Sequence, residues 1–347
     1  MTVNKPQQYD FSAHYFPETL KQNEAYDSRP ELLISDLKRS IKRFESLGSH
    51  RYPYILYMRA DEFVGLAVQY NIFEAPPSHI KWLLQQAVNA YRAHFLMQQN
   101  PGVDIAFELY GKHYVGVGVG VGEKIEKYSN EQTWLNALSL AVLTGDKQAC
   151  QDLLKVPTES FEKTGAINST KTSLVFTDLF KAFLGDEPDI DVRTEAFHRC
   201  RALTKPGAIE AIDSLFVETY AWFRSIPLFQ IVAYGWGAAN DDLNTIVKAA
   251  MQANYEYFSE IVPRDRAETF GGPPDTGPNA VSLNNDYAMM HINILAFMRV
   301  INQTLGETVS FDSPFLPQWL IKGEGPSLEE LKASPPEFDV SIFPPLD

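Results

Sequence analysis

Apolar residues along this chain recur mainly at three- and four-residue steps, the period of a helix with one buried face. Between Pro30 and Leu47 one stripe holds Leu33, Leu37, Ile41 and Phe44, with Lys38, Arg39, Lys42 and Arg43 on the opposite side. Ser28 suits the cap of this helix, Pro30 its first turn and Gly48 its end. A second helix is predicted from about Arg59 to Phe73. A third follows "PPSH", with Ile80, Leu83, Leu84, Ala87, Ala90, Tyr91 and His94 in step until "NPG" at 100–102 breaks it. Further helices are predicted over about 131–144, 147–155, 171–184, 191–203, 208–224, 228–239, 241–259 and 286–304. Strand-like alternation is confined to 104–121.

Short connections between helices favour antiparallel hairpins stacked on one another, so the expected fold is all-α, a bundle or short α-solenoid with at most a minor strand pair near 104–121. "WLNALSLAVLTGDKQACQDLL" (134–154) reads as helix, Gly-Asp turn, helix, and "FQIVAYGWGAANDDLNTIVKAAM" (229–251) repeats the plan without repeating the residues. Small residues such as Ala141, Gly235 and Gly237 would let such helices approach closely. The expected organisation is an N-terminal extension (1–27), a single helical domain (28–322, with N-terminal helices over 28–102 and the hairpin repeats over 130–322) and a Pro-rich acidic tail (323–347). The tail has room for one short helix near Ser327 to Lys332. Residues 262–286, rich in Gly, Pro, Asn and Asp, read as a long loop.

Charge narrows the partners. The chain has 30 basic and 44 acidic residues, a net charge of −14. Nucleic-acid binding needs a basic footprint and is not expected; a basic protein partner would be met faster. No apolar run reaches about 18 residues, the length that crosses a membrane. The first twenty residues lack the basic start and apolar run of a signal peptide, so a cytoplasmic protein is expected.

Chemistry is harder to find. In "HYVGVGVGVGEK" (113–124) the glycines starting at Gly116 or Gly118 miss the sixth position of a dinucleotide fingerprint, where Val121 or Glu123 stands. A phosphate loop would need Gly-Lys-Ser/Thr, and Glu123 follows Gly122. Period-two alternation puts the valines on one face and the glycines on the other, which suits an extended segment pressed against a helix. "DDLNT" (241–245) resembles the start of a magnesium motif of terpene synthases, but Ala249 stands where the last acidic ligand belongs; Asp241 reads as a helix cap. Seven histidines form no metal-ligand pair, no GxSxG elbow occurs, and Cys150 and Cys200 are isolated. No cofactor, metal or catalytic residue is expected.

The hairpin led by Trp134 and turning at Gly145 and Asp146, together with "NDYAMMHINILAFMRVINQTLGETVSFDSPFLPQWLI", resembles the immunity 49 family of bacterial polymorphic-toxin systems. The likeness covers 130–321, in pieces, and its motifs are packing motifs. It implies a mostly helical cytoplasmic protein that neutralises a cognate toxin by occlusion, and it brings no catalytic residues. The partner implied is that toxin, with a basic active-site surface as the natural target of an acidic inhibitor. "GDEPDIDVRTE" (185–195) is the densest acidic run, with Asp186, Glu187, Asp189 and Asp191 as interface candidates; as a solvated connector it needs no function. A helical scaffold that binds a peptide or protein stays open as the alternative.

Overall fold

The computed structural model describes residues 29–120, 129–162, 170–278 and 280–338. About two thirds of these are helical, with one two-stranded sheet among them. The chain falls into two compact units, one holding the described residues of 16–166 with 323–338, the other those of 167–322.

The first unit opens with α1 (Arg29–Glu45), whose Ile34, Leu37 and Phe44 are buried. Ser28, expected as its cap, lies outside the described residues. α2 (Tyr52–Ile72) starts seven residues before the predicted Arg59, because Pro53 fits a first turn whose N–H has no helical partner. It packs as a hairpin against α3 (Pro77–Gln99), and both bury residues on several sides. The strands β1 (Asp104–Leu109) and β2 (Lys112–Val117) follow, paired antiparallel in the predicted region. Their turn residues Tyr110 and Gly111 have φ of +57° and +70°, the left-handed pair that matches the twist of a two-residue hairpin.

The inward face of this hairpin joins an aromatic cluster. Phe44 stacks on Tyr52 at 4.9 Å, and Tyr114 meets Phe44 edge-on at 5.1 Å while Phe107 meets Tyr52 at 5.6 Å. Beyond β2 the glycines press onto the last turn of α3. The Val119 amide donates to the Met97 carbonyl (2.9 Å), and Gly118 exchanges 2.8 Å bonds with Gly102 and Val103. A Cβ on Gly118 would overlap the Asn100 carbonyl, so this position admits no side chain. Gly122 lies outside the described residues.

α4 (Glu131–Thr144) and α5 (Lys147–Leu154) form the Gly-Asp hairpin. Gly145 takes φ of +79°, its amide returning to Ala141 (3.0 Å), and Asp146 caps α5 by accepting the Ala149 amide (2.9 Å). Trp134 is fully buried, its indole N–H donating to the Leu153 carbonyl at 2.8 Å, with Phe161 of α6 (Glu159–Glu162) 6.0 Å away.

The second unit begins with α7 (Lys171–Leu184) and α8 (Ile190–Leu203). A helix predicted over 208–224 is shorter: turns occupy 204–213, and α9 (Leu215–Phe223) starts where Ser214 accepts the Val217 amide. α10 (Ser225–Gly235) and α11 (Leu243–Glu256) make the second hairpin of the repeated plan. Its turn carries Gly237 at φ +70°, and the cap is Asp242 rather than Asp241, accepting the Thr245 amide. Gly235 admits Phe183, whose ring would lie 2.8 Å from an added Cβ; Gly237 has open space there and serves the turn instead.

The reading of 262–286 as a loop needs correction. Val262–Phe270 is a helix, α12, with Pro263 in its first turn and Gly271 (φ +80°) at its end. Proline read as a breaker is tolerated at this end of a helix. A π turn at Tyr257–Ile261 precedes it, and there the carbonyls of Phe258 and Ser259 accept from Ser282 and Gly277, anchoring the segment after Gly272. The helix expected over 286–304 breaks at Met290 into α13 (Asp286–Met289) and α14 (Ile292–Leu305). Phe297 of α14 packs between Phe180 (5.2 Å) and Phe183 (5.3 Å) of α7, and α15 (Gln318–Lys322) closes the unit.

The tail returns to the first unit. Its short helix α16 (Leu328–Ala333) lies where predicted, and Ser327 and Glu330 satisfy each other's amides in a capping box. Beyond it the Glu337 carbonyl lies 2.8 Å from His79 Nε2, and Phe338 packs on Trp82 (5.2 Å) and Tyr70 (5.5 Å).

Candidate partner interface

The acidic run occupies the turn between α7 and α8, and the turn accounts for part of it. Asp186 takes φ of +50°, the left-handed conformation glycine supplies in the other two hairpins and aspartate tolerates. The Glu187 amide donates back to Ala182 (2.9 Å), and the Glu187 carboxylate accepts the Asp189 amide (3.0 Å). Asp189 in turn accepts the amides of Asp191 (2.9 Å) and Val192 (3.4 Å) and so caps α8. Asp191 sits in the first turn, where the free N–H groups favour a negative charge. Glu187 and Asp189 therefore do for this hairpin what Asp146 and Asp242 do for theirs.

The turn does not account for the exposure. Asp186, Asp189 and Asp191 lie in the open and Glu187 is half-buried. None of the four enters an ion pair among the described residues. Ile190, 61% exposed, stands between Asp189 and Asp191, and Val192, 47% exposed, follows them. Sequence reasoning assigned α8 by its period and passed over both. Ala196, Cys200 and Leu203 carry the buried stripe, and Ile190 and Val192 lie in the turn before it. The surface thus combines apolar area with uncompensated negative charge, a composition suited to a protein partner that offers cations.

The two cysteine thiols are held in their protonated form. Burial pushes the Cys150 thiol up to about 12 and raises Cys200 as well, so both stay protonated near neutral pH and lack the thiolate a nucleophile needs. His94 is fully buried, Nδ1 3.1 Å from the Pro53 carbonyl and Nε2 2.7 Å from the Gln98 amide nitrogen. A cleft of about 280 Å³ in the first unit holds Arg92 and Lys155, but Asp152 answers both, its carboxylate 2.7 Å and 3.6 Å from them. Burial works against the Asp152 charge, yet hydrogen bonds from Arg92 and Gln148 and the two cations hold its carboxyl below the usual range. Among the described residues no three His, Cys, Asp or Glu side chains converge to hold a metal ion, and no helix is long and apolar enough to cross a membrane.

Neither a curated protein nor a solved structure matches the chain. A family model does: that of immunity protein 49, over residues 79–320, more than half of the sequence. This match begins well before the resemblance at 130–321, taking in α3 and the β1–β2 hairpin and leaving out α1, α2 and α16. With the helical hairpins of 131–154 and 225–256 both inside the matched span, the chain belongs to the immunity protein 49 family.

Proposed function

We propose that this protein neutralises a cognate toxin in the cytoplasm by stoichiometric occlusion, without catalysis and without a cofactor. Family membership over residues 79–320 carries the reading. Supporting it are the net charge of −14 and an exposed acidic run interleaved with apolar side chains. In this account Asp186, Glu187, Asp189 and Asp191 face the basic active-site surface of the toxin. Exposed charges of this kind act mainly on encounter, raising the rate at which two opposite surfaces find one another.

A test must separate charge from folding, because Glu187 and Asp189 also hold the turn. Asp186→Asn, Glu187→Gln, Asp189→Asn and Asp191→Asn together remove four charges while keeping every acceptor oxygen the turn uses. Asparagine caps a helix as well as aspartate and tolerates the left-handed conformation at 186. The partner is the cognate toxin. The quadruple variant should stay folded and melt only slightly below the wild type, since the charges of Asp189 and Asp191 at the start of α8 are worth about 0.3–1 kcal/mol each. It should associate about tenfold more slowly at low salt, the lower end of what steering supplies, and the difference should fade as salt screens it. Equal association rates at low salt would remove the run from the interface and leave the inhibitor reading in place.

A further inference from the structure

The glycines of 116–120 face inward, and that leaves the valines outside. Val115, Val117 and Val119 are 51%, 46% and 39% exposed, and Val103, bonded to Gly118 across the ladder, is 50% exposed. Side chains two apart on a strand share a face, so Val115 and Val117 form one apolar stripe, and Val119 lies exposed just beyond its end. Two-stranded sheets that stand alone usually carry charged or polar residues on the solvent side, because an apolar strand with free edges invites association. Threonine would fill these positions with the same shape and strand preference. Valine there is unfavourable for the free protein and useful only where something covers it.

We infer that the outward face of the β1–β2 hairpin is a docking platform for the toxin, receiving a flat apolar segment of it that is bordered by basic side chains. This rests on the proposed neutralisation and assigns that partner a place. Charge selects the occupant. On the outward face Asp104 stands opposite Val117 and Glu108 opposite His113, and neither carboxylate enters an ion pair among the described residues. A second copy would bring the same two carboxylates, on a chain of net charge −14, against this face. A partner with cations beside its apolar surface would neutralise them. The hairpin also lies within the span that matches the immunity family.

The platform is preorganised. Its inner face is held by the Phe44, Tyr52, Phe107 and Tyr114 rings, and its end by the Val119 amide on the Met97 carbonyl (2.9 Å). Valine also has few rotamers to lose, so binding here orders little that is not already ordered.

The probe is the purified toxin domain encoded beside this chain's gene, and the variant is Val115→Thr with Val117→Thr in the full chain. The variant should melt with the wild type and release the toxin at least about tenfold faster, since central apolar contacts act on dissociation. Hydrogen exchange on the wild-type protein supplies a readout without mutation: amides of 103–119 should slow in the complex. A variant that releases toxin at the wild-type rate, with no added protection over 103–119, overturns the platform and leaves neutralisation standing. A wild-type dimer that the valine substitutions dissociate overturns it too, by showing a second copy as occupant. If the wild-type protein binds no toxin, the neutralisation reading falls and the platform with it.

Discussion

Trp134→Ala is expected to cost about 3–5 kcal/mol of unfolding free energy, the usual range for emptying a large buried site. Trp134 is 0% exposed and stands at the first turn of α4, under the α4–α5 hairpin. Two losses add. The cavity forfeits packing against Phe161 at 6.0 Å and the surrounding core. The Leu153 carbonyl loses the indole donor at 2.8 Å but keeps the Val156 amide at 3.2 Å, so the lost bond accounts for about 1 kcal/mol or less of that total. Trp134→Phe separates the two, since it keeps most of the ring volume and loses the donor. It should fall between wild type and alanine. Denaturant unfolding measures both. A loss below about 1 kcal/mol for the alanine variant is surface behaviour and contradicts this placement.

Gly118→Ala should come next, at about 3 kcal/mol, the upper part of the range for forcing extra atoms into a packed site. The new Cβ would run into the Asn100 carbonyl, lie 2.7 Å from its carbon and 3.0 Å from the Met97 oxygen. All of these are backbone atoms at the end of α3, and backbone cannot swing aside. The hairpin would have to lift, giving up its bonds to Gly102 and Val103. Gly116→Ala is the control two residues away. Its Cβ would meet chiefly the terminal methyl of Met97, the far end of a flexible side chain that can rotate. The expected cost there is about 1 kcal/mol or less, near that of an ordinary surface change. Similar losses at the two positions, read from thermal or denaturant unfolding, would contradict the difference in what each glycine faces.

Much of the fold was legible because helical period and end signals agree in this chain. The Gly145-Asp146 turn, the Ser327–Glu330 box and the tight strand pair all announce themselves in local residues. Failures came where one residue type serves two structures. Pro263 counted toward a loop over 262–286 and instead opens a helix, the start of α2 at Tyr52 was placed too late at Arg59, and the π turn at 257–261 has no local mark. The interface was less legible still. Alternation separated the valines from the glycines and pointed to a segment packed closely on a helix, but it could not say which helix. It is α3, whose backbone at Met97 and Asn100 leaves room for glycine alone. In the acidic run, charge was visible from the sequence, whereas the exposure of Ile190 and Val192 depends on where α8 meets its core.

The central claim is neutralisation by occupancy, and its most direct measurement is survival as a function of dose. Cells producing a fixed amount of the cognate toxin would receive graded amounts of the protein, with both quantified. The account predicts death without it and survival rising until the protein matches the toxin in number, because each bound chain occludes one active site. Equal killing with and without the protein, or full survival when toxin molecules far outnumber it, would contradict the account.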